Sequence, residues 1–139
     1  MKIYCTFTKS YALMLCVTLL ICFSFLGSVS VEGGAISLEN EEERSSFISS
    51  CGFFEPVSQE SKGIVIPVEF SKELENYSSK MQKGGYSISR YRGREAMLYT
   101  YYFSDSIVHL LCLEDELLCA DYFSISDNEI YPLKVRKNG

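Results

Sequence analysis

Ser104–Ser126 reads SDSIVHLLCLEDELLCADYFSIS. Ile107–Leu113 and Leu117–Ile125 are rich in branched and aromatic side chains, which suit a pleated, buried surface. Glu114, Asp115 and Glu116 between them have nothing apolar to bury, so the chain turns there in water. The stretch is expected to form a β-hairpin at the middle of a small sheet. A symmetric turn sets Cys112 opposite Cys119 and His109 opposite Tyr122. Opposed Cβ atoms lie about 4.5–5.5 Å apart, and a disulfide spans roughly 3.5–4.5 Å, so Cys112 and Cys119 are bridgeable. A structural disulfide is the expectation and a pair of free core thiols the alternative. The spacing of six residues fits no zinc signature.

Working outward, Glu95–Phe103 (EAMLYTYYF) reads as a strand that is apolar or aromatic on both sides. Asp127-Asn128 makes the next turn, and Glu129–Arg136 is a last strand that Pro132 places at an edge. Upstream, Tyr86–Tyr91 alternates as a strand would, and Arg92-Gly93-Arg94 turns the chain. Ser71–Lys83 is the best helix. Ser71 can cap it, Glu73 suits its positive end, and Gly84-Gly85 stops it. Leu74, Tyr77 and Met81 form one apolar stripe. Ile64–Phe70, after Gly63, is a strand candidate that Pro67 demotes to an edge. Residues 31–62 read as an acidic, partly flexible segment, with Glu39, Glu41, Glu42 and Glu43 as a solvated spacer or a docking tail. The expected fold is α+β, with residues 63–139 as the globular domain. It is a mostly antiparallel, meander-like sheet of four to six strands with one helix packed on it.

The first thirty residues differ from the rest. Lys2 and Lys9 precede an uncharged apolar run, Tyr11–Leu26, and the small residues Ser28-Val29-Ser30 follow. That is the order of a secretory signal peptide. An uncleaved anchor helix is the alternative, because the run is slightly long for a signal and slightly short for a span of about 20 residues. Either way the remainder faces outward. The domain is expected to be secreted or periplasmic, or else held outside by a single-pass anchor. Membrane contact is then confined to an uncleaved N-terminal segment. Cys51, Cys112 and Cys119 are the cysteines left after the leader, and Cys51 is the odd one.

Of the chain's 13 basic residues two lie in the leader, against 18 acidic residues elsewhere, so the net charge beyond residue 30 is −7. That sign repels phosphate and speaks against nucleic-acid binding. The sequence holds one histidine, His109, and no nucleophile elbow, phosphate-binding glycine loop or metalloprotease helix. Neither a catalytic set, a metal nor a cofactor is expected. The aromatic residues exceed what one small core needs. Tyr99, Tyr101, Phe103 and Tyr122 are therefore candidates for a contact surface, joined by the basic group Arg90, Arg92 and Arg94. Together these features imply an exported, non-enzymatic binding protein with a protein partner, of the inhibitor, immunity or envelope-accessory kind. A secreted effector or toxin-like subunit that binds a host protein or glycan is the alternative, and a small hydrolase using His109 the lesser one.

Overall fold

The computed structural model describes residues 35–134. The leader and its expected signal or anchor helix lie outside the described residues, as does the expected last strand beyond Lys134. The described chain runs α1 (Glu41–Ser50), β1 (Ser58–Val65), α2 (Lys72–Gln82), a 3-10 turn (Ile88–Tyr91), β2 (Glu95–Tyr102), β3 (Ser106–Leu113), β4 (Glu116–Ser124) and β5 (Glu129–Pro132). The strands pair in sequence order and every pairing is antiparallel. The domain is a small α+β meander, with two described helices where one was expected. None of the described helices is long and apolar enough to cross a membrane.

The additional helix comes from the acidic run. The Asn40 side chain accepts from the Glu43 N–H at 2.9 Å, and the Glu43 carboxylate accepts from the Glu39 N–H at 2.7 Å. Three glutamates then occupy the first turn, at the positive end of the helix dipole. The acid cluster read as a spacer is thus the start of α1, which buries Phe47 and Ile48. Helix α2 begins as expected, with the Ser71 hydroxyl accepting from the Leu74 N–H at 3.2 Å. Met81 is its fully buried anchor.

Two boundaries differ from the sequence reading. β1 starts at Ser58 rather than Ile64 and ends at Val65, before Pro67. It is an edge strand with nearly every side chain exposed, so it carries no apolar alternation to read. Tyr86–Tyr91 is not a strand. Ile88 and Tyr91 sit three apart in a 3-10 turn, where positions i and i+3 coincide, and both pack into the core beneath α2.

The central hairpin departs furthest from a symmetric turn. Only Glu114 and Asp115 make the turn, with Glu114 left-handed at φ 53°, and Leu113 pairs with Glu116. Cys112 then pairs with Leu117, but Leu111 pairs with Cys119, so Leu118 is an extra residue on β4. This is a β-bulge. Beyond it the register is one residue off the symmetric one, and such a slip moves side chains to the other side of the sheet. Cys112 and Cys119 therefore lie on opposite faces. The expected disulfide is absent, and Cys51, Cys112 and Cys119 are all buried free thiols. His109 faces Asp121 rather than Tyr122, which pairs with Val108.

The sheet has a helix on each face. On one side Tyr101, Val108, Leu110, Cys112, Leu117 and Ala120 pack with Leu38, Phe47, Ile48 and Cys51 from α1 and its flanks. On the other, Ala96, Leu111, Leu118 and Cys119 pack with Ile66, Met81 and Ile88. Residues 36–38 run beside the start of β4, where β5 does not reach. Leu38 N–H donates to the Asp115 carbonyl at 2.7 Å and Leu117 N–H to that of Ile36 at 2.9 Å.

Candidate functional site

Helix α2 approaches the sheet over β4 and β5. Lys80 pairs with Glu129 at 3.5 Å. Gly84 lies so close to Pro132 that an added Cβ would meet the Pro132 Cβ at 2.4 Å. Toward β1 the helix leaves the sheet uncovered, and a cleft of about 290 Å³ opens there. Its walls are Ile64, Ile66, Leu74, Ile88, Leu98 and Leu111, and its polar end is Tyr77, His109 and Asp121.

The register explains this division. Glu60, Thr100, His109 and Asp121 pair in succession across four strands and so share one face in one row. Two residues along, the row is Lys62, Leu98, Leu111 and Cys119. A two-residue step is about 7 Å along a strand. The cleft floor thus passes from polar to apolar within one such step.

Asp121 is the centre of the polar end. It is 4% exposed, and a carboxylate buried to that degree needs partners. His109 Nδ1 lies 2.8 Å from its Oδ1, and the Tyr77 hydroxyl donates to its Oδ2. Cys119 Sγ is 3.6 Å from the same hydroxyl. Burial, then the neighbouring thiol and carboxylate, push the Tyr77 hydroxyl well above its ordinary range. Burial pushes the Cys119 thiol up to about 12, against the lowering effect of the Tyr77 hydrogen bond. Nucleophilic cysteines need the opposite shift. Cys112 is raised to about 11, mainly by burial with Arg44 opposing, and Cys51 is raised by burial. None of the three thiols is activated for a Cys/His mechanism. Among the described residues no group of three or more His, Cys, Asp or Glu side chains converges as metal ligands would.

The sequence candidates fall elsewhere. Tyr99, Tyr101, Phe103 and Tyr122 do come together, on the α1 face. Tyr101 is 3% exposed and belongs to the core. Tyr99 lies under the Arg44 guanidinium, 4.0 Å from its ring centroid. Phe103 and Tyr122 pack on Phe53 with centroids 5.4 and 5.3 Å away, and Tyr131 stacks on Tyr122. The arginines do not join them. Arg92 covers Phe70, on the α2 side, at 4.3 Å, and Arg90 and Arg94 are exposed. Sequence reasoning missed Asp121 and Tyr77. The available signal was an acidic residue inside the apolar run Leu117–Phe123, where a buried charge requires an explanation.

No known protein family, curated protein or solved structure matches the chain. The geometry of the cleft is therefore the basis for a functional reading.

Proposed function

We propose that this is an exported, non-enzymatic binding protein whose ligand site is the cleft between α2 and strands β1–β4. The cleft carries the reading: a largely apolar pocket with a few converging polar groups is the usual form of a small-ligand site. Against catalysis stands the state of Cys119, whose thiol is held protonated beside the only histidine. Export rests on the charge and apolar pattern of the leader. The buried thiols neither add to that argument nor oppose it, since a disulfide no longer forms part of it.

Binding of a small neutral, environment-sensitive dye such as 1-aminonaphthalene, about the size the cleft of about 290 Å³ admits, tests the site. The purified protein should bind one dye molecule. Ile64→Arg, at the cleft wall, should abolish binding, and Phe54→Arg, outside the cleft, should not. Absence of binding, or indifference to Ile64→Arg, overturns the reading. The intact mass of the same secreted material should lack about the first 30 residues, as a cleaved signal peptide would. Retention of the full chain in the cytosol overturns export.

A protein-contact surface is the second reading, of the inhibitor, immunity or envelope-accessory kind. It is favoured by the exposed side chains of Phe54 and Val57, 68% and 78% exposed, next in sequence to the Phe53–Phe103–Tyr122–Tyr131 group. Loss of dye binding in Phe54→Arg alone would move the site there.

A further inference from the structure

The polar end of the cleft has one unused group, and its chemistry is set by its neighbours. A carboxylate has no proton to give, so both contacts to Asp121 must be donated to it. His109 therefore carries its hydrogen on Nδ1, and the Tyr77 hydroxyl points its own at Asp121 Oδ2. In the neutral ring this leaves Nε2 with a bare lone pair. The His109 side chain is 30% exposed and lines the cleft. Among the described residues Nε2 receives no hydrogen bond. Asp121, by contrast, has each oxygen engaged.

The structure assigns this lone pair to the hydroxyl of a bound alcohol or phenol, whose hydrocarbon body lies against Ile64, Leu74, Leu98 and Leu111. The inference deepens the proposed function and rests on the cleft being the ligand site. Three observations argue for a hydroxyl over a carboxylate head. The neutral ring, with its hydrogen on Nδ1, offers an acceptor, which a carboxylate cannot use. Asp121 places a buried negative charge one bond network away. Glu60 ends the same polar row, and the Tyr102 hydroxyl donates to it at 2.7 Å. Lys62 lies in the adjacent apolar row, not at the polar end. The size is also bounded. The cleft's 290 Å³ equals the liquid volume of about ten waters, room for a ligand of roughly that many heavy atoms.

A matched series tests the assignment by calorimetric titration of the purified protein. 4-Butylphenol should bind about tenfold more tightly than 4-butylanisole, the value of one hydrogen bond made in a partly desolvated site. 4-Butylbenzoate should bind more weakly than the phenol. In His109→Phe the phenol and the anisole should bind alike. Equal binding of phenol and anisole to the unaltered protein, or tighter binding of the benzoate, overturns the head-group assignment and leaves the cleft intact. If no member binds, the cleft reading fails as well. The preference within the unaltered protein decides the matter even if His109→Phe does not fold.

Discussion

The two faces of this sheet are built from the same strands and finished differently. The α1 face is closed. Val108, Leu110, Cys112 and Ala120 are completely buried there, and aromatic rings extend the packing to its margin. The α2 face is buried beneath the helix and open beside it, and it carries a histidine–aspartate pair in its middle. A small domain has limited surface to bury, and leaving one face partly uncovered forgoes stability that closure would supply. The closed face maintains the fold, and the open face is available to a ligand.

That division can be broken by mutation. Leu110→Ala, on the closed face, should cost about 2–5 kcal/mol, the range for a fully enclosed leucine. Leu98→Ala, across the sheet in the cleft wall, should cost roughly 1 kcal/mol, because it is only half-buried and solvent can fill the space. Urea denaturation of both variants checks the contrast, and equal losses would mean that the cleft is as closed as the core. Asp121→Ala should fall between them, at about 1–3 kcal/mol, by leaving the Tyr77 hydroxyl and the His109 Nδ1–H without an acceptor. A loss below a few tenths, in the same assay, would show those contacts to be incidental.

Alkaline pH sharpens the comparison, because each face holds a raised thiol. Burial pushes the Cys119 thiol up to about 12 and the Cys112 thiol up to about 11, against an ordinary 9.0. A group whose folded value lies above its unfolded one contributes full stability below the unfolded value and loses it as pH rises toward the folded one. Stability should therefore be flat with respect to these thiols below pH 9 and decline above it. Cys119→Ala and Cys112→Ala should each remove part of that decline. The check is the denaturation midpoint followed from pH 8 upward, and an unchanged slope in both variants counts against buried thiols on either face.

The sequence made the hairpin, α2 and the antiparallel sheet readable, because Ile107–Leu113 and Leu117–Ile125 announce strands and Ser71 to Gly85 announce a capped helix. It hid α1, whose polar surface gives almost no periodicity: only Phe47 and Ile48 are buried. It hid β1 for the related reason that an exposed edge strand has no face to mark. The site was unreadable because it depends on pairing. Nothing in the order of residues says that Leu118 goes unpaired, and so nothing says whether His109 meets Tyr122 or Asp121.

That unpaired leucine has a consequence for how the hairpin tolerates change. Were Leu118 to pair with Leu111 in an unbroken ladder, Asp121 would fall opposite Val108, turned into the hydrocarbon beneath α1, and His109 would have no anion. The chemistry of the cleft is thus encoded in one unpaired position. Hairpins that exchange individual apolar residues, or that lose Leu118 itself, can keep it, whereas one that draws the extra residue into the ladder exchanges the linings of the two faces from there to Asp121.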